Sequence, residues 1–573
     1  MKFRWLILCC IVLVLAACGR NRPAPSADTG ASDAGAPAPV VEATPTPLPP
    51  PPPVDLYAPN LLDEPGAAQG CDADGGASIL CRPEGPATIE VTVNAGNYAR
   101  WSMKFPKPAA PLTPADVLHL RAAAPDGLSP NLYLVEADGD RIAVSLRRQG
   151  LDDAMDDIII PLAEIKDDEG NRVDAAQVAE VQIVFEWADM AGTMTLETVQ
   201  FMPVWEEAVA VDDAAAALAA GLTVPAGFAV TALADDLSTM TQIDYTPAGE
   251  MLVSLQNGRV WWYSDDDGDG AYDRRRLYFS GLPEIVGLLY DPVDGAVWVG
   301  GRGQLYRTLD SDGNGAADVQ ELRVDGLPWG RHQNNGLDWN PDPDPFSGET
   351  GTHWIYFGLG STGDLETGGP LNASVLRFPR DGANADALEV VSRGNRNPYM
   401  VTWAPVPVDL ADPAGPTAWQ LFASENGPDF NDAPDEVNHI RWGHDYGFPD
   451  QFGPVADPAQ DGAPYSGPVY SATAHASASG LAYVSNPNWP AQYRTLYVSL
   501  FGQVFSPDVV GHLVEGVTLA QVETATGPTY RGEPFDFITG LDRPLPMAIA
   551  PDGNLVVGDY AMGVLYHVAY AGE

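Results

Sequence analysis

The sequence predicts an all-β protein with two folded parts, a jelly-roll-like β-sandwich followed by a six-bladed β-propeller. Three observations carry that expectation. Residues 86–205 hold short runs rich in Val, Ile and Thr, from "ATIEVTVN" to "TMTLETVQF", broken by Asp, Gly and Pro. Several of these runs alternate, as strands with one buried face do. From about residue 222 a Pro/Asp/Gly turn followed by a short apolar strand recurs six times: "TPAGEMLVS", "DPVDGAVWVG", "NPDPDPFSGETGTHWIYFG", "DPAGPTAWQLFAS", "NPNWPAQYRTLYVSL" and "APDGNLVVGDY". Repeats of this length without helical periodicity bury their faces only against neighbours, which is the logic of a propeller. "GFAVTALA" near 228 and "GVLYHVAY" at 563 can complete one blade from both ends of the chain. A parallel β-helix, the alternative repeat architecture, has much shorter repeats.

The ends of the chain set the compartment. Lys2 and Arg4 precede an apolar stretch from Trp5 to Ala17, too short to span a bilayer, and "LAACG" puts small residues before Cys18. Residues 1–17 therefore read as a signal peptide, and the pattern resembles the bacterial lipoprotein box, which implies lipid on Cys18. The alternative is a signal peptide with an incidental Cys. Residues 18–68 are crowded with Pro and Ala and read as an extended tether. The expectation is an extracytoplasmic protein held to a bacterial membrane by lipid. Of the five Cys, only Cys71 and Cys81 remain in the folded part, and an oxidising compartment makes a disulfide the default. No Cys-x-x-Cys-His is present, so covalent haem is excluded. The formal charge of −48 repels phosphate backbones and argues against nucleic-acid partners.

The boundaries follow. The sandwich occupies 69–205, and its pattern resembles the galactose-binding-like jelly rolls that serve as carbohydrate-binding modules. That implies sugar binding, with a spacer or docking role as the alternative. A linker with a short helix covers 206–221, and the propeller covers 222–573.

Propeller chemistry sits in loops at one end of the channel, so polar residues just outside the strand phrases are the candidates. Three groups stand out. "WGRHQNNGLDWNPD" carries Arg331, His332 and Gln333; "SRGNRNPYMVTW" carries Arg396 and Asn397; "SENGPDFNDAPDEVNHI" carries Gly427, Pro428, Asp432, Asp435 and Glu436. In this order on six blades they resemble the glucose/sorbosone dehydrogenase family, propellers that use pyrroloquinoline quinone and calcium. The resemblance implies His332 as the catalytic base and Arg396 and Asn397 as contacts of the quinone, with Arg396 also catalytic in balancing negative charge on the reduced cofactor. It also implies the carbonyls of Gly427 and Pro428 as ligands of its calcium. Gln333 and Arg543 fall among the cofactor-binding positions, Asp435 and Glu436 read as ligands of a second, structural cation, and Asp432 reads as solvated.

The chemistry is consistent. Oxidising a sugar hydroxyl needs a base that works near neutrality, calcium polarises the hydride acceptor, and calcium prefers oxygen ligands. The chain departs from the family where "GLAYVSNPNWP" lacks a Lys and "GLDRPLPMAIAPDG" keeps only Arg543 of two expected Arg. That implies weaker or altered cofactor binding. It keeps a second class open: a non-catalytic, calcium-stabilised propeller that binds a glycan or a protein. The sugar and the electron acceptor are not named by the sequence.

Two strings match the D-x-[DN]-x-[DN]-G core of a calcium loop. "DDDGDGAYD" offers Asp265, Asp267, Asp269 and Asp273, with Arg276 at the twelfth position. "DSDGNGAADVQE" offers Asp310, Asp312, Asn314 and Asp318, with Glu321 at the twelfth. Without flanking helices these read as calcium-stapled loops between strands, or as metal-free Asp/Gly hairpins.

Overall fold

A computed structural model describes residues 60–572 apart from 63–67, 84–85, 105–110, 168–169, 430–432, 456–459, 463 and 504–508. The signal peptide, Cys18, most of the tether and Asp432 lie outside the described residues.

Two five-stranded antiparallel sheets form the sandwich. One contains Tyr98–Lys104, Val178–Glu186 and Asn131–Glu136 at its centre; the other centres on Ala87–Val93, Met190–Met202 and Val117–Ala123. Alternation decides the faces: Ala99, Trp101 and Met103 are fully buried, while their neighbours Tyr98, Arg100 and Ser102 turn outward. A disulfide between Cys71 and Cys81 ties the edge strand Ala68–Ala73 of one sheet to the edge strand Ser78–Arg82 of the other.

Six further antiparallel sheets make the propeller. Their innermost strands are Met240–Tyr245, Ile285–Tyr290, Asn334–Trp339, Pro398–Pro407, Ala478–Tyr483 and Pro544–Ile549, and each contacts the next around a closed ring. Each of the six repeated phrases supplies the second strand of one blade: Met251–Leu255, Val297–Gly301, Trp354–Leu359, Thr417–Glu425, Leu496–Leu500 and Leu555–Asp559. The last blade takes its outermost strand from the start of the propeller, with Phe228–Ala234 pairing antiparallel to Val564–Tyr570. Phe228 seals that joint, its ring 4.7 to 5.2 Å from those of Trp489, Tyr493, Phe537 and Tyr570.

The linker does more than connect. Glu206–Ala208 pairs with Arg274–Phe279 as a fifth strand of the first blade. The alanine-rich helix Asp213–Gly221 follows, started by Asp212, whose side chain accepts the Ala215 N–H at 2.6 Å. The sandwich packs on the first blade: Glu164 takes two hydrogen bonds from Arg259 at 2.8 and 3.0 Å, and Val117 shares a core with Trp261, Tyr263 and Leu277.

Antiparallel blades sort the loops by face. Turns between first and second strands, and between third and fourth, lie at one end of the channel. Loops from second to third strands, and from each blade to the next, lie at the other. The Asp-rich loop 265–273 joins third and fourth strands of the first blade, and 310–318 does the same in the second. Both are therefore at the end opposite the inter-blade loops that carry His332, Arg396 and Arg543.

Candidate active site

All six innermost strands carry a register shift at the same place, one or two residues after they begin. A bulge re-aims the extra side chain. Here it turns Thr241, Val286, Asn335, Tyr399 and Leu545, each the second residue of its strand, into a cavity of about 230 Å³ at the channel mouth. The remaining wall comes from the inter-blade loops and second-to-third-strand loops, including Gln256, Glu284, Trp329, Arg331, His332, Gln333, Asn397 and Tyr560.

His332 is the most informative group in that wall. Its Nδ1 lies 2.9 Å from the Ser361 carbonyl and 3.1 Å from Ser361 Oγ, whose own hydrogen goes to the Gly363 carbonyl at 2.8 Å. Both contacts at Nδ1 are acceptors, so Nδ1 carries the hydrogen and Nε2 is left as a bare lone pair. Burial, then the Arg396 charge, pushes the ring pKa down to about 3, so the imidazole is neutral at physiological pH. Gly360 permits this packing, since a Cβ there would come 2.4 Å from the His332 Cβ.

Gln333 and Asn397 line the cavity, but their amides are tied at both ends. Gln333 donates to the Glu284 carbonyl at 3.0 Å and accepts from the Arg302 N–H. Asn397 accepts from Asn335 at 2.9 Å and donates to Asn426 at 2.8 Å. These two residues lock neighbouring loops together and shape the wall.

Arg396 does not line the cavity, because its guanidinium is consumed by protein partners. It is 1% exposed and donates to Asp364 Oδ1 at 2.5 Å, the Asp364 carbonyl at 3.0 Å and the Asn426 carbonyl at 2.9 Å. Against the cost of burial, the Asp429 N–H and Arg396 hold the Asp364 carboxyl below its usual range. Arg331, on the cavity wall, is ion-paired with Asp429. Arg543 is likewise outside the cavity, giving its guanidinium to the Gly502 and Gln503 carbonyls and stacking on Phe501 at 5.1 Å. Residues 222–573 contain no lysine.

The Gly427–Pro428 pair sits in the second-to-third-strand loop of the fourth blade, adjoining Arg396 through Asn426. Gly427 is required, since a Cβ would come 2.4 Å from the Pro434 carbonyl. Among the described residues neither the Gly427 nor the Pro428 carbonyl accepts a hydrogen bond. Asp435 anchors the loop rather than meeting other carboxylates: its two oxygens take the N–H groups of Gly427 at 2.7 Å and Ser477 at 2.6 Å. Burial raises its pKa to about 6. Glu436 faces Glu425 across the sheet, and one amide, Asn438, donates to both at 3.2 and 3.0 Å. Burial, and for Glu425 the adjacent Glu436, pushes both carboxyls well up, so this pair retains a proton near neutrality.

At the opposite end, the oxygens of Asp265, Asp267 and Asp269 converge within 4.8 Å, as do those of Asp310, Asp312 and Asp318. Asp273 instead accepts the Asp266 and Asp267 N–H groups, and Asn314 donates to Asp312 at 3.2 Å. Glu321 is not in its cluster: it lies in the strand Val319–Val324, where Arg307 and Arg323 pair with it at 3.3 and 2.6 Å. Reading the sequence alone missed Ser361, Asp364 and Glu284, which fall in loops without a motif. The usable signal was position, since each lies in a loop that faces the mouth.

A family model described as a domain of unknown function, DUF7133, matches residues 239–571. No curated protein matches the chain. Among solved structures the chain is similar to the quinone domain of a pyranose dehydrogenase from Coprinopsis cinerea (15% identity, covering 61% of this chain and 96% of that one, TM-score 0.48). It is also similar to a putative glucose dehydrogenase from Thermus thermophilus (21% identity, 60% and 100% covered, TM-score 0.43). A shorter likeness is to a family 11 carbohydrate-binding module from Clostridium thermocellum (10% identity, 23% and 86% covered, TM-score 0.19).

The depressed His332 pKa has a signed consequence. Between about 3 and about 6.5 the unfolded chain binds a proton that the folded chain refuses. The stabilisation from His332 is therefore complete above about pH 6.5 and is lost as pH falls toward 3. In urea titrations, the advantage of wild type over the non-titrating His332→Gln should shrink between about pH 7 and about pH 4. An advantage that holds or grows over that range would show that the ring is not buried neutral.

Proposed function

We propose that this chain, which belongs to the DUF7133 family of unknown function, is an extracytoplasmic oxidoreductase whose propeller mouth oxidises a sugar hydroxyl, using pyrroloquinoline quinone and calcium. The observation that carries this reading is His332, a neutral imidazole with its hydrogen on Nδ1, in the wall of a cavity lined from five blades. Only part of the set suits the cofactor pair: Arg396 and Arg543 are spent on protein partners outside the cavity, which leaves Arg331 as the cation on its wall. The Gly427 and Pro428 carbonyls, which accept no hydrogen bond among the described residues, would hold the calcium, and Arg331 would meet the anionic quinone. When bound, the quinone with its calcium supplies an electrophilic acceptor for the hydride from the carbinol carbon. His332 Nε2 would take the hydroxyl proton only as the hydride leaves, because a ring whose pKa is pushed down to about 3 is a weaker base than the free imidazole the sequence suggested. Ser361 keeps the opposite nitrogen protonated. Arg396 acts at one remove, clamping Asp364 and Asn426 so that the Gly427–Pro428 loop keeps its place. Lipid on Cys18 and the tether of 18–68 would hold the enzyme at a membrane surface, and the sandwich would bring it to a glycan. The electron acceptor downstream is an open partner.

Reconstitution with quinone and calcium should give turnover on aldoses, and His332→Ala should lose about 10²-fold or more while quinone binding persists. A wild type that binds no quinone and oxidises no aldose returns the protein to the glycan- or protein-binding class.

The Asp-rich hairpins take a separate role, since they lie at the far end from the cavity. We assign them to structural calcium, the 310–318 loop foremost. Calcium at about 100 times its Kd adds about 2.7 kcal/mol to a fold that alone binds it. Melting temperature should rise with calcium, and Asp312→Ala should lose most of that rise. Identical melting of wild type with calcium and with chelator would reduce both loops to turns.

A further inference from the structure

We propose that Trp329 is the platform on which the substrate ring packs, so that the site selects closed pyranose rings over open-chain polyols; this rests on the sugar-oxidising reading above. Among the described large apolar side chains that stand exposed, Trp329 alone also lines the cavity, and it is half-exposed there. In a wall otherwise rich in polar groups, the half-exposed indole offers apolar surface to whatever occupies the cavity.

The indole is also held in place. Its loop is pinned from both sides: the Leu327 N–H reaches the Gly303 carbonyl at 3.0 Å, Asn372 donates to the Pro328 carbonyl at 2.9 Å, and the Arg331 N–H reaches the Thr362 carbonyl at 2.8 Å. Gly303 makes the seat, for a Cβ there would come 3.1 Å from Trp329 Cδ1. The Arg302 guanidinium lies over the ring at 5.2 Å and is itself ion-paired with Glu284. Arg302 adopts φ 42° and Glu284 φ 55°, conformations that bulky residues take at a cost. A pinned loop thus presents a fixed apolar face three residues before His332.

The chemistry of that face selects its ligand. A pyranose has a flat patch of C–H groups that packs on an aromatic ring while its hydroxyls turn to polar partners. Glu284, Gln256 and Tyr560 line the same cavity. Tyr560 donates to Gln256 and Glu284 pairs with Arg302, and the lone pairs and amide hydrogens these contacts leave over are the polar partners for the hydroxyls. An alditol has the same hydroxyls without the flat patch, and it loses more conformational freedom on binding.

Calorimetry on the calcium-loaded protein without quinone tests this, with D-glucose, D-xylose and D-sorbitol as the probes. Wild type should bind the two pyranoses about tenfold or more tighter than sorbitol. Trp329→Ala should lose about tenfold in pyranose affinity and with it the preference, and Trp329→Phe should stay within about threefold of wild type. In the quinone-loaded enzyme Trp329→Ala should raise KM about tenfold with kcat falling less than about threefold. Pyranose binding without any turnover leaves the platform standing and removes the oxidative reading. Turnover with an unmoved KM in Trp329→Ala, no pyranose binding by wild type, or no preference over sorbitol overturns the platform. Melting curves for both variants exclude loss of fold as the cause.

Discussion

The structure depends on one strand pairing. Phe228–Ala234 arrives about 330 residues before its partner Val564–Tyr570, and their antiparallel ladder closes a ring of six blades. Without closure the last blade would expose Val564–Tyr570 as an unpaired edge, and the innermost strands would have no fixed circumference. With it, the six inner strands start at one level, their bulges fall in one plane, and loops far apart in sequence meet at one mouth. Phe228 contributes the apolar part of that joint, set among four aromatic rings.

At that mouth a strongly acidic chain has arranged its few cations with care. Arg396 is fully buried yet spends its charge on Asp364, and its field still helps keep His332 neutral. Arg331 and Arg302 are paired with Asp429 and Glu284 at the rim. Beside them Glu425 and Glu436 share one amide donor, and burial pushes both carboxyls up, so the neighbourhood of the Gly427 loop carries less negative charge than two solvated carboxylates would. The outcome is a base with an available lone pair in a wall whose charges cancel locally. The sandwich reaches this neighbourhood too: Lys166 and Arg172 both donate to the Gly281 carbonyl, three residues before Glu284.

Much of this was legible in the sequence because propellers write their local structure locally. The turn-plus-strand phrase marks second strands in every blade, and so the count of six and the split of loops between two faces both follow from residues such as those of "APDGNLVVGDY". His332, Gln333 and Asn397 were legible as mouth residues for the same reason. What the sequence hid depends on contacts across blades. The partner of His332 is Ser361, 29 residues away in a loop without a motif, and Arg396 looks like a free cation until Asp364 is seen against it. Glu321 fits the twelfth position of a calcium loop by spacing, but the hairpin hands it to Arg307 and Arg323 on neighbouring strands. Glu206–Ala208 was read as linker because three residues carry too little pattern to declare a strand.

The account turns on the protonation of one ring, and long-range ¹⁵N–¹H correlation of the His332 imidazole at about pH 6 reads it directly. The predicted spectrum is that of a neutral ring with hydrogen on Nδ1 and a bare Nε2, persisting as pH is lowered well past the ordinary histidine range. A charged ring at about pH 6, or a neutral ring with its hydrogen on Nε2, would contradict it.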